Sequence, residues 1–283
     1  MSRIDLSQGA VLALGGGGMR GVAHLGVLAT FEAAGVRVRG IAGTSSGALL
    51  GALWILRGAA GAIERVREYV ASGRARRMTD LAEDTDGRGV GAGLRRLARA
   101  VALARLLARR SLLSPEAYLE HVAFFLPEQE IGELPTPFVA VATDTFSGEE
   151  VRLARGPLRL AVAASSAMPG LVPPVVWGER RLQDGGAVAE IPVAAARMLG
   201  SPVIAVEVSE GLPPARPDRD RLPRAMFRAA AMGWQALRRR LLAEADAVIA
   251  PAVNHLHWAD YHAVDEAVAA GRRVAEAFLA AAR

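Results

Sequence analysis

The chain has 283 residues, 52% of them apolar, and a net charge of +5 from 34 basic and 29 acidic side chains. One α/β unit can reach this length, and the apolar share suffices for a large core. Cysteine is absent, which excludes disulfides and thiolate metal sites and fits a reducing compartment.

Met1 to Gln8 is polar and carries Arg3 and Asp5, and the apolar run after it is too short for a signal peptide. Val11-Leu12-Ala13-Leu14 predicts a buried strand near 10–14. Gly15-Gly16-Gly17-Gly18 follows, then Met19-Arg20-Gly21 opens a helix near 19–34. Uncovered N–H groups at a helix start attract negative charge, either a phosphate or the oxyanion of acyl transfer. Gly16, Gly18 and Gly21 satisfy the dinucleotide spacing, but that reading needs a carboxylate at the end of the next strand. The next strand, near 38–43, runs instead into Gly43-Thr44-Ser45. A Walker loop is excluded as well, because the chain contains no lysine.

Gly43-Thr44-Ser45-Ser46-Gly47 is a G-x-S-x-G run between that strand and a helix near 46–57. A serine on such a turn projects its hydroxyl out of the fold, which makes Ser45 a nucleophile candidate. A second helix is expected near 61–72. Residues 74–113 then interrupt the rhythm as a cap-like insertion. Within it, Leu94 to Leu113 places leucines at helical spacing among arginines. That pattern suits a packed helix with a charged outer face, or a basic amphipathic helix on a membrane surface.

Ser114-Pro115-Glu116 starts a helix over 115–125, with Ser114 as its cap. Strands follow near 137–143 and 149–153, and a helix near 157–166. Ser165 and Ser166 lack a glycine-flanked turn and read as small residues that let a helix end approach the site. A polar stretch, Gly178 to Gln183, leads to Asp184-Gly185-Gly186. Alone this triplet is a turn. Beside a serine nucleophile it offers a carboxylate that can take the proton directly. A helix near 192–199, a strand near 203–208, a proline-rich connection, a helix near 221–243, a strand near 247–250 and a helix near 262–282 complete the chain. This alternation implies a mainly parallel sheet with helices on both faces and Ser45 at the carboxyl end of a strand.

Taken together, Gly15 to Leu28, Gly43 to Ala48, Ala164 to Gly170 with Pro173-Pro174, and Asp184-Gly185-Gly186 resemble the patatin-like phospholipase family, in the family's order and over about residues 9–209. The resemblance implies a single three-layer α/β/α domain with a mainly parallel central sheet. It implies a Ser–Asp dyad of Ser45 and Asp184, an oxyanion hole from Gly16, Gly17 and Gly18 with Arg20 beside it, and motif glycines Gly21, Gly43, Gly47, Gly185 and Gly186. The implied activity is hydrolysis of acyl esters of lipids, with no metal and no cofactor. His24 reads as a packing or hydrogen-bonding residue, and Trp258 and Tyr261 as packing residues near the last helix.

Two alternatives stand beside this. In a Ser-His-Asp hydrolase, His255, His257 or His262 would follow Asp184 in the required order. A regulatory member of the fold would keep the motifs with little turnover. Scattered arginines and 5% aromatics argue against nucleic-acid binding. The uncharged stretches between Arg39 and Arg57 and between Arg159 and Glu179 do not read as membrane spans. The expectation is a cytoplasmic protein without a signal peptide or transmembrane segment, meeting lipid only at a membrane surface.

Overall fold

The computed structural model describes residues 4–74, 111, 113–209, 211–212 and 222–282. Nearly all of the insertion expected near 74–113, including its arginine-bordered leucines, lies outside them. In chain order the described strands are β1 (Ala10–Leu14), β2 (Val38–Thr44), β3 (Phe138–Asp144), β4 (Glu150–Leu153), β5 (Val175–Trp177), β6 (Arg180–Asp184), β7 (Val203–Val206) and β8 (Ala247–Ile249). The helices are α1 (Ala23–Ala33), α2 (Ser46–Ala71), α3 (Pro115–Phe125), α4 (Leu158–Ser165), α5 (Gly186–Ala189), α6 (Val193–Arg197), α7 (Leu222–Ala243) and α8 (Val264–Ala282).

All eight strands form one sheet. Strands β3, β2, β1, β7 and β8 lie side by side and run parallel. Strands β4 and β6 pair antiparallel with β3, and β5 pairs antiparallel with β6. Side chains alternate across this sheet. Leu12 and Leu14 of β1 enter a large core with Leu25, Phe31 and Leu53 from α1 and α2. Val11 and Ala13 enter a smaller core on the opposite face with Ile191, Val193 and Ala196 around α6. The result is the expected three-layer α/β/α architecture.

Two strands escape the sequence reading. The stretch Gly178 to Gln183 looks polar, yet Arg180–Asp184 is a strand in which Leu182 and Asp184 point inward. One leucine is too little apolar signal for a period of two. The helices expected near 46–57 and 61–72 run together as α2, with a kink at Gly58 (φ 66°). Among the described residues α2 is also the one helix long and apolar enough to cross a membrane, and half of that window is buried inside the fold.

The pairing of β3 decides where the site forms. Strand β4 covers Ala140 to Thr143 along one edge. Strand β2 pairs with Phe138 to Val141, and β6 with Ala142 to Asp144. Both overlap β4, so both must use the other edge, end to end. Thr44 therefore sits opposite Val141, and Asp184 sits opposite the next residue, Ala142. The chain turns away from the sheet at Ser45, and β6 takes the edge that β2 vacates.

That turn needs room at Gly47. A Cβ there would lie 2.1 Å from the Leu14 carbonyl oxygen, so only glycine lets α2 start this close to the end of β1. Gly47→Ala should lower stability by about 1–3 kcal/mol, the cost of forcing a methyl into a packed core. The check is a lower denaturant midpoint with an unchanged m-value.

Candidate active site

Ser45 has φ 55°, and it is the one non-glycine residue with positive φ among those described. Such a conformation is strained for a side chain with a Cβ and concentrates at functional turns. It follows β2 directly and serves as the N-cap of α2, the position expected of a nucleophile elbow.

Three bonds hold the strained turn, and Ser165 makes all of them. Its carbonyl accepts the Ser45 N–H at 3.2 Å and its hydroxyl oxygen accepts the same N–H at 3.0 Å. Its hydroxyl donates to the Val141 carbonyl at 2.6 Å. The Ser165 carbonyl also accepts the Gly185 N–H at 3.3 Å, one residue beyond Asp184. Ser165 is fully buried at the end of α4. It does far more than leave space, which is all that the sequence suggests for it.

Asp184 is anchored on three sides. Its N–H donates to the Ala167 carbonyl at 2.9 Å, and its carbonyl accepts the Thr143 hydroxyl at 3.0 Å. The Gly186 N–H donates to its Oδ1 at 2.7 Å. The Ser45 hydroxyl lies near enough to the same carboxylate to favour its ionised form. Burial pushes the Asp184 pKa up to about 6, against the opposing effect of Gly186 and Ser45, and the Glu190 charge adds to the rise.

The glycine loop follows β1 beside this pair. Gly15 donates to the Val206 carbonyl at 3.1 Å, and Gly16 donates to the Glu190 carbonyl at 2.9 Å. The Gly16 N–H is thus committed, which corrects its expected part in the oxyanion hole. No acceptor among the described residues takes the N–H of Gly17 or Gly18. Gly18 has φ 59°, and a Cβ there would lie 2.5 Å from the Trp258 carbonyl oxygen. Arg20 is buried in the short 3-10 turn over Gly18–Val22, one residue before Gly21. Gly43 lies in the buried part of β2, one residue before its end at Thr44, and Gly185 and Gly186 lead from β6 into α5.

His24 supports the loop from below. Its Nε2 donates to the Gly15 carbonyl at 2.8 Å, and burial lowers its pKa to about 4, so it is neutral near pH 7. This matches the packing and hydrogen-bonding role expected of it. The three downstream histidines are exposed, and His255 bonds to Glu266 at 2.7 Å. Among the described residues none of them hydrogen-bonds to Ser45 or Asp184. No cluster of described residues could hold a metal ion.

Ser45 opens onto a cavity of about 120 Å³. Leu49, Leu50 and Val66 of α2 line one wall, and Tyr118, His121 and Phe125 of α3 another. Trp258 and Tyr261 line it too, so they are more than the packing residues the sequence suggests. Tyr118 donates its hydroxyl to the Ser166 carbonyl at 2.9 Å, and His121 Nδ1 pairs with the Tyr69 hydroxyl at 2.8 Å. Burial pushes the Tyr69 and Tyr118 pKa values up and lowers that of His121 to about 4. The tyrosine and histidine side chains on these walls are uncharged near pH 7. The spacing Tyr118, His121, Phe125 marks one helix face and was the signal available for this wall.

A family model for patatin-like phospholipases matches residues 12–197, from the third residue of β1 through α6. The chain belongs to the patatin-like phospholipase family. Its patatin motifs are those placed together here at the ends of β1, β2 and β6. An uncharacterized NTE family protein of Mycobacterium tuberculosis is 33% identical over 188 residues, which is 66% of this chain and 45% of that protein. Patatin-like phospholipase domain-containing protein 6 of Mus musculus is 29% identical over 256 residues, 89% of this chain and 17% of that protein. The chain thus spans less than half the length of these curated patatin relatives. A crystal structure of VipD from Legionella pneumophila aligns over 96% of this chain and 67% of that one, with 16% identity and a TM-score of 0.47.

Ser165→Ala should destabilise the fold by about 1–3 kcal/mol, because the Val141 carbonyl would be left buried without its donor. A thermal unfolding midpoint several degrees lower is the expected reading.

Proposed function

We propose that this chain is a serine hydrolase of lipid acyl esters, working through a Ser45–Asp184 dyad in a single catalytic domain. One observation carries the reading: a hydroxyl on a strained elbow lies beside a buried carboxylate, next to the Gly17 and Gly18 N–H groups, for which no described residue is an acceptor. Family membership and the uncharged cavity support a long apolar acyl group as the part of the substrate that enters.

The steps follow from the geometry. The substrate carbonyl lies over Ser45 with its oxygen toward the Gly17 and Gly18 N–H groups. Ser45 Oγ attacks the carbonyl carbon while Asp184 takes the hydroxyl proton. Negative charge collects on the carbonyl oxygen and is stabilised by the two amides, donors already in place before the reaction. Collapse of this intermediate expels the alcohol, which receives the proton back from Asp184. Water then attacks the acyl-enzyme with Asp184 again as base, releasing the fatty acid and restoring Ser45.

A carboxylate is ordinarily too weak a base for this work. Desolvation brings the Asp184 pKa to about 6, close to working pH, where a general base is most effective.

Ser45→Ala should abolish release of p-nitrophenol from a short-chain p-nitrophenyl ester. Asp184→Asn should lower kcat/KM by about 10²- to 10⁴-fold. His255→Ala, His257→Ala and His262→Ala should each keep most of the activity, and a dead histidine variant would replace the dyad with a triad.

The pH profile gives a separate test. Asp184 must be ionised to act, so kcat/KM should level off above the Asp184 pKa of about 6 and fall as pH drops through it. A limb near pH 4 instead would mean that the base is an ordinary exposed carboxylate.

A further inference from the structure

Seven large apolar side chains stand exposed among the described residues, and six of them lie at one end of the molecule. Strand order identifies that end. Phe146, 80% exposed, comes two residues after β3, whose carboxyl end lies beside Ser45. Val176, 58% exposed, pairs with Arg181 in the β5–β6 hairpin. That hairpin overhangs β3, because Leu182 already sits opposite its last residue, Asp144. Met168 is on the cavity wall. The remaining three, Met226, Met232 and Trp234, belong to α7. The seventh, Met198, comes shortly before the start of β7, at the opposite end.

Helix α7 runs from the carboxyl end of β7 to the amino end of β8. Arg238 ion-pairs with Glu190 and with Glu207, the first residue past β7. The turns before Arg238 therefore rise beyond the edge of the sheet, on the same end as Ser45. Their polarity is reversed for a surface helix. Met226, Ala229, Ala230, Gly233 and Trp234 form one exposed stripe, while on the other side Arg228 and Gln235 are half-buried and Met232 is exposed. A helix resting on a soluble core does the opposite. From Leu222 to Ala243 there are five arginines and no acidic residue. At the hairpin, Arg180 and Arg181 outnumber Glu179.

Apolar tips on four separate segments, at one end of the molecule and on both sides of the sheet, suit a broad surface better than a compact partner. The turns that project, Leu222 to Leu237, carry Arg224 and Arg228 and no acidic residue, and with Arg180 and Arg181 against Glu179 and Glu149 they give that surface a small positive excess. We propose that this end of the molecule docks on a phospholipid bilayer containing anionic headgroups, with Phe146, Val176 and the outward side of α7 entering the interface. The inference rests on the lipid-ester reading above and identifies where that substrate is met.

The test is partition onto vesicles of phosphatidylcholine, with and without phosphatidylglycerol, read by co-sedimentation. Met226→Ser with Trp234→Ser forms one variant, and Phe146→Ser with Val176→Ser another. Both are made in a Ser45→Ala background so that no lipid is consumed. Each pair should weaken partition by about tenfold or more, from the apolar area it removes. Phosphatidylglycerol should tighten binding of the unaltered surface. With Ser45 restored, both pairs should hydrolyse a soluble short-chain ester within about twofold of the parent, as exposed substitutions do.

Failure of the parent chain to bind, or unchanged partition of either pair, overturns the proposal. So does a dimer in solution that the α7 pair converts to a monomer without loss of vesicle binding, which would assign that face to a second copy. Vesicle binding is measured without turnover, so a Ser45→Ala protein that still hydrolyses esters would sink the dyad and leave this result standing.

Discussion

Everything at the site hangs from the Ser165 carbonyl. It accepts the N–H of Ser45 and the N–H of Gly185, so one buried oxygen joins the elbow to the residue after the carboxylate. The Ser165 hydroxyl fastens the same point to β3 through Val141. A side chain at φ 55° persists only where its surroundings over-determine it. Here the surroundings are a helix end and the shared edge of β3, and neither could be moved without separating the hydroxyl from the carboxylate.

The sheet explains why two residues so far apart in the chain meet. Strand β2 runs out after Thr44, and β6 arrives from the other direction to continue the same edge. Thr44, after which the chain leaves the sheet at Ser45, and Asp184, at the end of β6, are then set one residue of register apart. The glycine loop comes from β1, the next strand over, and is steadied from outside by the Val206 and Glu190 carbonyls. Three chain segments thus contribute one group each, and all three are delivered by backbone pairing rather than by long side chains.

Much of this was legible in the residues. The short apolar runs placed β1, β2, β3, β7 and β8, and Ser114-Pro115-Glu116 marked the start of α3 to the residue. G-x-S-x-G before a helix pointed to Ser45, and the order of motifs pointed to Asp184. Other features have no local signature. β6 carries a single leucine, and its importance comes from which edge it joins. The role of Ser165 depends on a partner 120 positions away. The loss of Gly16 as a donor depends on the Glu190 carbonyl, a backbone atom that no side-chain pattern announces. Sequence patterns report what a residue is. These three depend on what lies opposite, which pairing alone decides.

Burying Asp184 has a thermodynamic side. A carboxyl whose pKa is about 6 in the fold and near 3.9 in the open chain binds its proton more tightly when folded. Between those two values stability declines as pH rises, and above them the ionised group destabilises the native state by on the order of 2–3 kcal/mol. This one group favours the fold most in the acid range, where it could not act as a base, while buried His24 and His121, with pKa values lowered to about 4, pull the other way as pH falls. Natural proteins are only marginally stable, so a penalty of that size constrains how many other imperfections this fold can tolerate.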